Sequence, residues 1–200
     1  MTKISSSFKN MVLVLTLVSL VTSAGIAGVY VLTREKIQDV AEEKINDAVS
    51  AVVPNSKNCE IIKDTVQSSD DSTKFLYFYT VIKEGKTIGT AIQSYSNNGF
   101  GGEIKVMVGF DSLGVIINSD VIEHHETPGL GNKTDSDWNK QFVGKNPQSP
   151  SFKVIKAGEK KEGDNIDAIT AATISSRAYT EAIKRASDAY LQFIELKGTK

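Results

Sequence analysis

Asp167-Ala168-Ile169-Thr170-Ala171-Ala172-Thr173-Ile174-Ser175-Ser176 is the stretch on which the reading of this chain turns. It sets four hydroxyl side chains and two consecutive alanines at the head of a segment whose apolar positions are Ile174, Ala178, Ala182, Ala186, Ala189/Tyr190 and Phe193. Those positions step by three and four along one helix face. A strand-like Asp167 to Thr170 is therefore predicted to run straight into a helix N-terminus, where the first N–H groups lack intrahelical partners and the positive end of the dipole lies. Such an end attracts phosphate, and Ala171 and Ala172 let a bulky group approach the backbone. From the residues alone two readings stay open: a phosphate site, or an ordinary helix start capped by Thr173 or Ser175.

Working back towards the N-terminus, Phe152 to Ile155 and Ile166 to Thr170 read as two short strands around the charged turn 159–164. Before them lies His124-His125-Glu126-Thr127-Pro128-Gly129-Leu130-Gly131. His124 and Glu126 would share a strand face, but two ligands beside a Pro-Gly turn do not make a metal site, and no metal is expected. A sharp loop, with Glu126 tied to a nearby N–H, is the plain alternative. Upstream, Phe75 to Ile82 and Thr87 to Tyr95 form a predicted hairpin about Glu84-Gly85, and Glu103 to Phe110 with Val115 to Glu123 form a second. Four strands would make an antiparallel sheet. The cluster Asn97-Asn98-Gly99-Phe100-Gly101-Gly102 between the hairpins is either a plain turn or a place where backbone meets a flat ligand.

Asn55 to Lys74 is polar and reads as a loop or weakly structured lead-in, and Arg34 to Val53 as an amphipathic helix ended by Pro54-Asn55. Residues 11–33 carry no charge and as a helix would reach about 35 Å, enough for a bilayer core of about 30 Å. A membrane-spanning anchor is expected rather than a cleaved signal peptide, although Thr22-Ser23-Ala24 resembles a cleavage site, because the apolar run continues past it. Ser19, Ser23 and Ala27, and Ala24 and Gly28, repeat every fourth residue. That spacing suits close approach by another helix, or reflects the frequency of small residues in spanning helices.

The chain of 200 residues has a net charge of −1. Removing residues 1–33, with two lysines and no acid, leaves −3 and no basic stripe, so nucleic acid is not an expected partner. A single cysteine, Cys59, excludes an internal disulfide and a CxxC pair, and with them the usual iron–sulfur and dithiol frameworks. No nucleophile–base pair or paired carboxylates stand out.

The 167–175 string resembles the flavin-attachment motif D-x-x-[ST]-[GA]-A-T-x-[ST] of the FMN-binding domain. That domain occurs in the G subunit of Rnf electron-transport complexes and the C subunit of sodium-pumping NADH:quinone reductases. The resemblance extends to Ala51-Val52-Val53-Pro54, the glycine cluster, Met107 to Asp111 and the H-x-E-T-P-G-L-G string from His124. Thr170 and Ala171 stand where Ser and Gly are commoner in the motif. The resemblance implies an FMN esterified through its phosphate to Thr173, with Asp167, Thr170, Ala171, Ala172, Ile174 and Ser175 around the attachment point. It sets Glu126, Thr127, Gly129, Leu130, Gly131 and Gly101 against the flavin, and suggests that Asp167 serves recognition by a flavin transferase.

The fold it implies is α+β: an N-terminal transmembrane helix and an extracytoplasmic FMN-binding domain with an antiparallel sheet and flanking helices. The corresponding segments are a cytoplasmic 1–10, an anchor at 11–33, a helix and lead-in at 34–74, and the FMN-binding domain at 75–200. Lysines and arginines flanking the span do not decide its orientation; the family implies a cytoplasmic N-terminus in the inner membrane. The implied function is electron relay within an Rnf-type translocase that couples electron transfer between ferredoxin and NAD to ion movement. This chain would be a flavin carrier among other subunits rather than a stand-alone catalyst. The quinone-reductase C subunit is the near alternative, which the short chain and the ETPGLG loop disfavour. A membrane-anchored ligand-binding or sensory module without redox activity is the alternative of another class.

Overall fold

A computed structural model describes residues 7–68, 70–146, 152–156, 158–159 and 165–198. Lys3, and the predicted charged turn beyond Glu159, lie outside the described residues. Helix α1 runs from Phe8 to Val52, uninterrupted until Pro54 because the segment contains no proline. The chain divides into two compact units, Met1–Lys44 and Ile45–Lys200. In the first, residues 11–33 are exposed throughout, and the helix is long and apolar enough to cross a membrane.

The second unit is built on five antiparallel strands: β1 (Glu60–Gln67), β2 (Phe75–Lys83), β3 (Lys86–Gly99), β4 (Gly102–Phe110) and β5 (Ile116–Glu123), hydrogen-bonded in chain order. The sheet has one strand more than the sequence suggests. The polar lead-in contains β1, paired from Glu60↔Ile82 to Gln67↔Phe75. Its first four residues are exposed, so the burial alternation that marks a half-buried strand is missing from its sequence. The glycine cluster is also not a free linker: β3 continues through it to Gly99, which pairs with Gly102, so Phe100 and Gly101 form a hairpin tip.

Alternation along β2 divides the core. Leu76 and Phe78 face one side, Tyr79 and Val81 the other. The second face is covered by Ala48, Val49 and Val52 from the end of α1, together with Val53. That contact requires Gly109, since a Cβ there would stand 2.2 Å from the Val52 carbonyl oxygen. The first face receives the C-terminal helix α2 (Thr173–Gly198). Its alanines 178, 182 and 186 are fully buried, as the spacing predicts, and so are Tyr179 and Ile183 beside them. Small side chains let the helix close on the sheet, where Phe110 and Tyr190 stack with centroids 4.6 Å apart. Ile174, assigned to this stripe by its spacing, is instead 52% exposed, because the first turn of α2 lines the cleft described below.

Beyond β5 the chain forms two 3-10 turns, Gly131–Asp135 and Asp137–Phe142, which no periodicity announces. They bring Trp138 and Phe142 against Tyr179, with centroids 5.5 Å from it in each case. The two short strands expected after them exist as β6 (Val154–Ile155) and β7 (Ile166–Asp167), shorter than expected and paired in parallel. Strand β7 stops at Asp167 instead of reaching Thr170, because the Ile169 N–H donates to Ser176 Oγ at 2.9 Å and the chain turns there.

Candidate functional site

Three segments distant in sequence meet at the start of α2: the β3–β4 hairpin tip, the loop after β5 and the first helical turn. Between them lies a cleft of about 340 Å³ lined by Phe100, Glu126, Thr127, Leu130, Gly131, Ala171, Ala172, Thr173, Ile174 and Ser175. Its size is at the lower end of small-molecule sites.

The helix start is built without a hydroxyl cap. Ala172 precedes the first helical residue, and its carbonyl accepts the Ser176 N–H at 3.0 Å. Ser176 Oγ donates to the same carbonyl at 2.9 Å while accepting from Ile169 N–H, which fixes the entry of the chain. Neither Thr173 nor Ser175 is the N-cap. Ala171 takes up the left-handed conformation, φ +62°, which costs a residue with a Cβ about 1 kcal/mol and glycine nothing. A left-handed position of this kind suits the glycine that is commoner there in the motif.

The four hydroxyls consequently have different fates. Ser176 is fully buried and doubly bonded. Ser175 is buried and donates to Glu126 Oε2 at 2.5 Å. Thr170 is exposed but outside the cleft lining. Thr173 lines the cleft, is half-buried, and its hydroxyl makes no hydrogen bond among the described residues. Beside it are the first-turn N–H groups of α2, which a helix leaves without internal partners. A phosphate needs N–H donors, and a phosphoester needs an accessible hydroxyl; the residues at this helix start supply both.

Several expected site residues support the cleft instead of lining it. The Gly101 N–H donates to Glu126 Oε1 at 3.1 Å, and a Cβ on Gly101 would stand 1.8 Å from the His125 carbonyl oxygen. Close approach of two backbones explains that glycine. Gly129 adopts φ +78° in the turn after Pro128, and its N–H donates to Asn132 Oδ1 at 2.7 Å. Asp167 is held through its backbone: its carbonyl accepts from Trp138 Nε1 at 2.6 Å, and its N–H donates to Gln141 Oε1 at 3.0 Å. Glu126, by contrast, lines the cleft while only 5% exposed, and its own N–H donates to His124 Nδ1 at 3.2 Å. Among the described residues no group of three or more His, Cys, Asp or Glu is placed to hold a metal.

The residue that the sequence reading passes over is Phe100, 69% exposed on the hairpin tip and lining the cleft. Its only signal is an aromatic residue set among glycines. Leu130, 41% exposed, and Ile174 add apolar surface. The site therefore offers apolar side chains for a ring system and a helix N-terminus for an anion.

Comparison with known proteins agrees with this chemistry. The FMN-binding domain family matches residues 99–188, from the hairpin tip well into α2. The ion-translocating oxidoreductase complex G subunit of Aliivibrio fischeri (strain MJ11) is 31% identical over 191 residues, covering 90% of this chain and 89% of that protein. The same subunit of Shewanella baltica (strain OS223) is 32% identical over 182 residues, covering 86% and 84%, and that of Vibrio vulnificus (strain YJ016) is 29% identical over 182 residues. With an FMN-binding domain, an α+β fold and similarity along most of its length, this chain belongs to the G-subunit family of ion-translocating oxidoreductase complexes.

Proposed function

We propose that the chain is the flavin-carrying electron-relay subunit of an ion-translocating oxidoreductase, with FMN joined through its phosphate to Thr173. The observation that carries the reading is the Thr173 hydroxyl: in the motif it is the one that both lines the cleft and is left unbonded among the described residues. FMN, when bound, accepts and donates electrons singly or in pairs. The protein's part is to bind and orient. The N-terminus of α2 favours the residual negative charge of a phosphodiester, while Phe100, Leu130 and Ile174 provide apolar surface for a ring. A covalent link keeps the cofactor from being lost.

The attachment is made by a separate flavin transferase that reads the motif, in which Thr170 is exposed and Asp167 partly so. The apolar part of α1 anchors the chain in the inner membrane in a single pass with its N-terminus cytoplasmic, which leaves the flavin domain extracytoplasmic, among the other subunits of the complex. The relatives' name supports an Rnf-type assembly over the quinone-reductase one. The full chain made alongside an active flavin transferase is expected to carry flavin fluorescence through a denaturing gel, and Thr173→Ala to lose it. Fluorescence that leaves the wild-type band on denaturation would favour a module holding its ligand without a covalent bond.

A further inference from the structure

Glu126, which the family resemblance sets against the flavin, is a buried acid whose charge the relay reading leaves without a role. Its two described side-chain contacts both come from donors, Gly101 N–H at 3.1 Å and Ser175 O–H at 2.5 Å, the pattern expected of a carboxylate. Glycines lie close on both sides of the same carboxylate. A Cβ at Gly99 would stand 2.3 Å from the Gly102 carbonyl oxygen and 2.5 Å from Glu126 Oε1, and one at Gly131 2.5 Å from Oε2 and 2.6 Å from Ser175 Oγ. The hairpin tip, the loop and the first turn of α2 thus converge on one side chain, and that side chain lines the cleft.

We infer that Glu126 is the positioning residue of the cleft, and that by locking these three segments together it holds a fixed negative charge against the bound flavin and lowers its reduction potential. The inference rests on FMN occupying this cleft. An anion withdrawn from water, as the 5% exposed Glu126 is, opposes the arrival of further negative charge nearby more strongly than a solvated one, so the reduced cofactor is disfavoured. The Ser175 hydroxyl tempers this effect by donating to the carboxylate, so removing Ser175 and removing the charge should act in opposite directions. A purely structural latch gives no such pair of signs.

The test compares full-length wild type, Glu126→Gln and Ser175→Ala, each made with an active flavin transferase, by spectroelectrochemical titration of the flavin, intact mass, and thermal unfolding of the unloaded chains. Glu126→Gln retains the shape and can still accept from Gly101 N–H; unfolding and intact mass score its folding and loading, and the loaded fraction is expected to titrate at a more positive potential. Ser175→Ala is expected to titrate at a more negative one. Loaded wild type and Glu126→Gln with the same potential would overturn the inference while leaving the relay reading intact, as would a folded Glu126→Gln that takes up no FMN. If Glu126→Gln does not fold, Ser175→Ala decides alone: a negative shift supports the inference, and an unchanged or positive one overturns it. Wild type emerging unmodified would defeat the attachment reading, and the charge effect with it.

Discussion

Gly101→Ala perturbs the site at one atom. The added methyl carbon would lie 1.8 Å from the His125 carbonyl oxygen, 2.4 Å from its carbon and 3.0 Å from the Glu126 nitrogen. All three are backbone atoms, so no rotamer change relieves the clash; the loop must retreat by about 1.6 Å to reach the 3.4 Å at which ordinary contact begins. Overpacking of this kind costs about 1–3 kcal/mol when side chains can yield, and a displaced backbone puts the substitution at the top of that range, about 3 kcal/mol. Retreat of the loop also breaks the Gly101–Glu126 hydrogen bond. The comparator is Gly85→Ala in the β2–β3 turn, where φ is +76° and no atom lies within 4 Å of the new Cβ; its cost is the left-handed backbone alone, about 1 kcal/mol. Thermal and denaturant unfolding of both full-length variants in detergent, with FMN loading by intact mass, makes the comparison. Gly101→Ala should be the less stable and load poorly. If it proves no more costly than Gly85→Ala and loads normally, the proposed packing of hairpin tip on loop is wrong.

Ala171→Gly should stabilise the chain by up to about 1 kcal/mol, the relief of a left-handed alanine less the extra freedom of glycine when unfolded, and a lowered unfolding midpoint would contradict the observed turn. Burial, with the nearby charge of Asp135, pushes the Asp120 carboxyl above its usual range. An acid whose pKa is raised on folding costs stability above its unfolded value, so Asp120→Asn should stabilise at neutral pH, and the gain should vanish as the pH falls below that value. Glu181 is opposite in sign: burial raises its pKa, but hydrogen bonds from Asn98, Arg185 and Ser96, with the Arg185 charge, outweigh it and hold the carboxyl low. Glu181→Gln should therefore cost about 1 kcal/mol at neutral pH for a partly solvated network. That difference should shrink on acidification through the folded-state pKa, as followed by denaturant midpoints across pH.

What is legible in the sequence is what repeats locally or follows a motif. The uncharged run of α1, the hairpins about Glu84-Gly85 and Asp111 to Gly114, and the alanine face of α2 are set by patterns within about a dozen residues. The unreadable parts depend on distant partners. Strand β1 is identified only by its pairing with β2, since Ile61 and Ile62 are both exposed. The parallel pair β6 and β7 is two residues per strand, too short for any period. Ile174 keeps the helical spacing of a core residue, yet the helix start lies at the cleft. Within the site, the motif points to Thr173, but Glu126 meets Ser175 across 49 residues of chain, so its place beneath the cleft cannot be read from spacing. Phe100 is hidden for the same reason: its neighbours in the cleft come from the loop and from α2.

Whether Thr173 carries a covalent flavin is decided by intact mass with fragmentation of the full-length chain, produced beside an active flavin transferase. Wild type should be heavier than its sequence by one FMN less one water, fragmentation should locate the addition on Thr173, and Thr173→Ala should carry no addition. An unmodified wild type under those conditions, or a Thr173→Ala chain that still gains the same mass, would refute the attachment.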